Sequence, residues 1–211
     1  MTALILALDV TDKTKAIAIA TRCAPHIDAV KVGYPLVLSA GLLVAEELAD
    51  LDLPLIADFK VADIPNTSRL IAEEVFTSGY DTLICQGFTG RDSVTACVEV
   101  AREYGGDCFV VTEMSHPGAT EFFHGGIAER IAVLAKECDA DGIIAPATRP
   151  DRVASLKLLI GDLKIYSPGV GAQGGDISAI ASIVDGIIIG RAIYDAEDPG
   201  EVALQFAGIR Q

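Results

Sequence analysis

Ile56-Ala57-Asp58-Phe59-Lys60-Val61-Ala62-Asp63-Ile64-Pro65 sets three formal charges within six residues of an otherwise apolar neighbourhood. Leu55 to Phe59 reads as a short buried strand, apolar on both sides as parallel strands tend to be. Side chains alternate along a strand, so Asp58 and Lys60 leave on one face and Phe59 on the other. Ile64-Pro65-Asn66-Thr67 reads as a turn into a helix, which puts Asp63 on the loop beyond the strand's C-terminal end. An Asp-x-Lys-x-x-Asp cluster at such an end is where α/β barrels keep their chemistry.

Outward from this stretch, short aliphatic runs alternate with longer amphipathic ones. The spacing predicts strands at Leu4–Leu8, Ala29–Val32, Leu55–Phe59, Thr82–Cys85, Cys108–Thr112, Gly142–Ala145, Lys164–Tyr166 and Gly186–Ile189. Helices are expected at Lys13–Cys23 behind a Thr11-Asp12 cap, from Tyr34-Pro35 to about Ala49, at Asn66–Thr77, and at Asp92–Tyr104. A loop from Glu113 to Gly126 precedes a helix to about Cys138. Further helices follow at Asp151–Leu159, Ile177–Ile183 and Glu201–Phe206. Eight strand–helix units without a linker point to one (β/α)8 barrel domain over residues 1–211. A doubly wound open sheet is the competing architecture, and it would more often carry a first-turn GxGxxG, which the chain lacks.

Composition narrows the partners. A formal charge of −14 over 211 residues argues against nucleic acid. No apolar run approaches the ~18 residues that span a bilayer, and Asp9 interrupts the first one, so neither a membrane nor a signal peptide is expected. Cys23, Cys85, Cys97, Cys108 and Cys138 form no CxxC pair and keep no metal-ligand spacing with His26, His116 or His124. They read as free thiols of a cytoplasmic protein.

In a barrel the strand ends share one mouth, and here they carry Asp9, Lys31, Asp58, Lys60, Asp63, Gln86, Ser115, Gln173 and Arg191. Lys31, Asp58 and Lys60 lie in or beside apolar strands, where unpaired charge is costly. Their alternating signs, with Asp63, would supply the pairing. After strand seven comes Pro168-Gly169-Val170-Gly171-Ala172-Gln173-Gly174-Gly175, and after strand eight Gly190-Arg191. Barrels commonly bind a phosphate at these two loops, so a phosphate monoester substrate is expected.

Asp58–Pro65, Thr112-Glu113-Met114-Ser115-His116-Pro117-Gly118, Ser167–Gly175 and Ile189-Gly190-Arg191 resemble the orotidine 5′-phosphate decarboxylase family in its archaeal form. Val30–Pro35 and Leu6–Asp9 match it too, so the resemblance runs from about Leu4 to Tyr194. It implies a homodimeric barrel that makes UMP from orotidine 5′-monophosphate in pyrimidine biosynthesis, without metal or cofactor. By motif, Lys60 would donate the proton to C6 of the pyrimidine, and Asp58 would lie beside the departing carboxylate. Lys31 would bridge the charged row and touch the ribose, and Asp9 would hold a ribose hydroxyl. Asp63 and Thr67 would reach the neighbouring subunit's substrate. Ser115 would bind the base, Gln173 would link base and phosphate, and Gly190 with Arg191 would hold the phosphate. Ile64 and Pro168 would line the ring.

Two alternatives stand beside this one. A magnesium-dependent 3-keto-gulonate 6-phosphate decarboxylase or hexulose-phosphate synthase resembles the same Asp-x-Lys-x-x-Asp, but its pattern has a glutamate ligand near the end of strand two, where this chain has Lys31. A non-catalytic phospho-ligand barrel is the other. His116 and His124 are read as loop packing or solvent-exposed groups, since Lys60 already supplies a proton.

Overall fold

Aliphatic strands apolar on both faces need cover on both, and the chain supplies it by following strands with helices. In the computed structural model, which describes residues 2–171 and 174–209, the strands are β1 (Ala3–Leu8), β2 (Ala29–Gly33), β3 (Leu55–Val61), β4 (Thr82–Gln86), β5 (Asp107–Val111), β6 (Gly142–Ile144), β7 (Lys164–Pro168) and β8 (Gly186–Ile189). They pair in parallel and in sequence order, and β8 returns to β1 to close the barrel. Inside it, Ile5, Ile56, Ile84, Phe109, Val111, Ile144 and Ile188 pack together. Each such aliphatic side chain contributes roughly 1.5–3 kcal/mol by leaving water. A much larger apolar layer fills the space between strands and helices.

The helices differ from expectation where backbone geometry intervenes. The single helix expected to Ala49 is two, Tyr34–Ala40 and Val44–Leu48, because Gly41 turns the chain at φ 87° and ψ 162°. The loop after β5 holds a 3-10 turn, Pro117–Ala119, and a short helix, Thr120–Phe123. A short helix over Arg191–Tyr194, not expected, directly follows Gly190. The helix after β7 ends at Ile180, three residues short of expectation.

The N-terminal end of the barrel is tied by a repeated device. An aspartate stands immediately before each even strand: Asp28, Asp81, Asp141 and Asp185. Each makes a two-bond ring with one residue of the preceding odd strand. The carboxylates of Asp28, Asp81, Asp141 and Asp185 accept the N–H groups of Leu4 (2.7 Å), Leu55 (2.7 Å), Cys108 (2.8 Å) and Ile165 (2.8 Å). The aspartates' own N–H groups return to the carbonyls of the same four residues. Small residues follow these aspartates for steric reasons at two places. A Cβ on Gly142 would stand 2.3 Å from the Phe109 ring, and one on Gly186 2.7 Å from Tyr166. Those two rings stack at 4.1 Å and plug the barrel.

Candidate active site

At the C-terminal end, β3 departs from regular pairing. Between Ala57 and Val61 it advances four residues while β4 advances two, Leu83 to Cys85. Lys60, inside this bulge, takes φ 45°, a left-handed conformation that costs a residue with a Cβ about 1–2 kcal/mol. The bulge keeps Asp58 and Lys60 on the same side, with Lys60 Nζ 2.6 Å from Asp58 Oδ1. Phe59 goes to the outer face, stacked on Tyr34 and edge-on to Tyr80.

Lys31 comes from β2 and is 4 % exposed. Its Nζ donates to Asp58 Oδ2 at 2.5 Å and stands 3.8 Å from Asp9 Oδ1. Gly33 leaves room for that second carboxylate, since a Cβ there would meet Asp9 Oδ1 at 2.4 Å. Burial works against the Lys31 charge, but attraction to Asp58 and then Asp9 outweighs it and holds the pKa above the ordinary lysine value. Burial likewise opposes the charge on Asp58, and Lys31 and Lys60 more than offset it, so its pKa lies below the usual carboxylate value. Both partners are therefore ionised near neutrality. A buried ion pair is a poor stabiliser because desolvation consumes most of its attraction. This row lines a cavity of ≈ 250 Å³ in the barrel mouth, together with Ile84, Val111, Ile144 and Ile188. The site thus offers an ammonium beside an apolar floor.

Of the other expected residues, Asp9, Ser115, Pro168, Gly190 and Arg191 line the same cavity. The loop after β7 folds back on itself, with Gly175 N–H donating to the Gly169 carbonyl at 3.0 Å. A Cβ on Gly175 would stand 2.6 Å from that oxygen. Gln173 lies outside the described residues. Asp63, Ile64 and Thr67 do not reach the cavity of their own chain. Asp63 stands apart from the charged row of its own chain: its side chain turns back onto the Ile64 N–H at 2.7 Å. Its carbonyl is held by Ser68 and Ser93. Ile64 is 65 % exposed. Asp63 and Ile64 are exposed and Thr67 is half-buried, because Pro65 starts its helix there and carries the chain away from the mouth.

Sequence reasoning misses a second charged group. Glu113 follows β5 and is fully buried. Arg149 Nη1 lies 3.1 Å from its Oε1, His124 Nε2 3.2 Å from the same oxygen, and Arg152 Nε donates to Oε2 at 2.6 Å. Arg152 also reaches Glu129 at 3.3 Å. Burial disfavours the Arg152 charge, yet Glu113 and Glu129 hold its pKa above the ordinary value. His124 thus meets a buried carboxylate rather than merely packing the loop, whereas His116 is exposed as expected. Tyr194 also lines the cavity. The sequence signal for Glu113 is a charge directly after an apolar strand, the feature that marks Asp58; Tyr194 carries none.

Three comparisons bear on this geometry. Residues 2–206 match the family model described as Orotidine 5'-phosphate decarboxylase / HUMPS family. A curated relative from Methanosarcina mazei, orotidine 5'-phosphate decarboxylase, is 57% identical over 208 residues, covering 98% of this chain and 94% of its own. One of the same name from Thermococcus kodakarensis is 48% identical over 203 residues, 95% of this chain and 92% of its own. Among solved structures, orotidine 5'-monophosphate decarboxylase from Methanocaldococcus jannaschii, complexed with the inhibitor BMP, superposes with a TM-score of 0.96 at 43% identity, covering 100% of this chain and 99% of that one. With the family model spanning nearly its whole length and relatives this similar, the chain belongs to the orotidine 5'-phosphate decarboxylase / HUMPS family.

Proposed function

We propose that this chain converts orotidine 5′-monophosphate to UMP and CO2, as one barrel domain over residues 1–211 that works as a homodimer. The observation that carries the reading is the Lys31–Asp58–Lys60 row on the cavity floor, with Lys60 Nζ free enough to approach a ligand, its side chain 35% exposed. Loss of CO2 from a ring carbon without an electron sink leaves a localised carbanion. An ammonium fixed beside that carbon stabilises the anion and then protonates it. At 4 Å and an effective dielectric near 20, one such contact is worth about 4 kcal/mol. Asp58, held ionised by two lysines, stands where the substrate carboxylate would be repelled, a stress relieved as CO2 leaves.

The remaining roles follow the cavity lining. Ser115 would bind the base, Pro168 the ring face and Asp9 with Lys31 the ribose. Gly190 and Arg191 would take the phosphate, whose binding energy supports closure of the loop after β7, and Gln173, outside the described residues, would link base and phosphate. Asp63, Ile64 and Thr67 would serve the partner's site, a reading supported by their placement away from the cavity of their own chain. Mixing Lys60→Ala with Asp63→Ala subunits should therefore restore activity, since each mixed dimer contains one wild-type site. No recovery after confirmed subunit exchange would count against sharing. All five cysteines are free and buried, which fits a reducing cytoplasm. No helix among the described residues is long and apolar enough to cross a membrane.

The deciding assay is UMP formation from orotidine 5′-monophosphate in EDTA. Undiminished turnover supports the reading. Turnover abolished by chelation and restored by Mg²⁺ would favour the metal-dependent relatives, although Lys31 beside Asp9 and Asp58 repels a divalent cation. Tight nucleotide binding without turnover would leave a phospho-ligand module.

A further inference from the structure

Arg149 joins Glu113 to the segment that carries Ser115. While Nη1 faces Glu113, the same guanidinium donates to the Met114 carbonyl at 2.8 Å and to the His116 carbonyl at 3.2 Å. Those carbonyls flank Ser115, so one planar fork spans the residue on both sides. The Glu113 N–H still reaches back to Ile144 of the barrel, and the next turn begins at Pro117. Met114, Ser115 and His116 lie between these anchors, and a guanidinium fork is well shaped to fix such a stretch. Glu113 in turn fixes the fork, because a buried carboxylate with one oxygen on Arg149 and the other on Arg152 has little freedom to turn. Filling the same volume with apolar side chains would be no less stable, so packing alone gives no reason for this ionic group.

From this geometry we propose that Glu113 is a positioning residue for Ser115, acting through Arg149. It does not touch the substrate. It sets the backbone on either side of Ser115 and so the direction in which the hydroxyl meets the nucleotide base. The inference rests on the proposed reading of the reaction, in which Ser115 contacts the base.

A double-mutant cycle on the full-length protein tests it, with kcat/KM for orotidine 5′-monophosphate and the thermal midpoint as readouts. Glu113→Gln should lower kcat/KM about tenfold when Ser115 is present and far less when combined with Ser115→Ala, the coupling expected within one hydrogen-bonded network. The fall in thermal midpoint should be the same in both backgrounds. Arg149→Lys keeps a charge against Glu113 but loses the fork; it should show the same non-additivity and carries the test if Glu113→Gln does not fold. Glu129→Gln, which disturbs only the far side of Arg152, should stay within about twofold of wild type. Equal fractional losses with and without the Ser115 hydroxyl overturn the proposal. If the wild-type chain proves inert toward orotidine 5′-monophosphate, the reading of the reaction has failed. The same cycle on UMP binding then decides the positioning role separately.

Discussion

The two ends of this barrel both hold carboxylates, exposed or half-buried at the base and nearly enclosed at the mouth, and they settle them in opposite ways. At the base, Asp28, Asp81, Asp141 and Asp185 are satisfied by backbone N–H groups of the neighbouring strand, local partners present whenever the strands pair. At the mouth, Asp58 is satisfied by two lysines from two strands, one of them held in a left-handed conformation. The base arrangement ties neighbouring strands together. The mouth arrangement spends stability to hold opposed charges at a fixed spacing, which a reaction that generates charge can use.

The sharpest way to break this contrast is at Lys60. Lys60→Ala should lower turnover by about 10⁴-fold or more, since one group supplies both charge stabilisation and the proton. Near-normal turnover would remove Lys60 from the role. Lys60→Gly should be as inactive yet about 1 kcal/mol more stable than Lys60→Ala in chemical denaturation, because glycine accepts φ 45° without strain. Equal stabilities would mean that the left-handed turn stores nothing.

Next in size is Arg191→Ala. Loss of a charged hydrogen-bonding partner should reduce kcat/KM for orotidine 5′-monophosphate by about 10²-fold, and a phosphate-free nucleoside much less. Equal losses on both substrates would detach Arg191 from the phosphate. At the opposite end, Asp81→Ala leaves the Leu55 N–H without its acceptor. It should cost about 1–3 kcal/mol in unfolding free energy while kcat stays within about twofold. A large fall in kcat at unchanged stability would erase the division between the ends.

The smallest effect is one of sign. Asp58 has a lowered pKa in the fold, so its contribution is present above the ordinary Asp value of about 4 and is lost as pH falls through the folded value. Asp141 is raised, by burial first, with Asp107 adding to it against the opposing Cys108 N–H. Its folded form holds the proton more tightly than the unfolded chain, so its contribution declines as pH rises from about 4 through the folded value. Asp58→Asn should therefore destabilise more at pH 7 than at pH 3, and Asp141→Asn less at pH 7 than at pH 3. Denaturation midpoints at the two pH values check both, and parallel shifts would contradict the assignment.

The barrel was legible because each aliphatic run is bounded by turn residues, and the strand ends of β1 and β8 fall within a residue of the apolar pattern. Lys31, Asp58 and Lys60 were legible as charges inside apolar strands. The twist that aims Lys60 was not, since the bulge exists only relative to β4. Glu113 stood in view at a strand end, but its partners Arg149 and Arg152 arrive on a helix start one strand later. That Asp63 stands apart from the row of its own chain was not legible, because spacing along a strand says nothing about the chain's departure after Pro65. The break at Gly41 was hidden in a run of good helix formers. The aspartate before each even strand repeats openly, yet its meaning depends on which odd strand lies beside it.

Those base bridges join β1 to β2, β3 to β4, β5 to β6 and β7 to β8, and among the described residues no aspartate links the alternate seams in the same way. The side-chain clasps thus mark off four two-strand cassettes, which backbone bonds such as Ala3 N–H to the Asp185 carbonyl and Asp107 N–H to the Asp81 carbonyl join into one barrel. Moving its ends to a point between cassettes, such as the segment between β4 and β5, would leave every bridge within an unbroken stretch of chain. Moving them to the middle of a cassette, such as between β3 and β4, would turn one local clasp into a contact between distant ends.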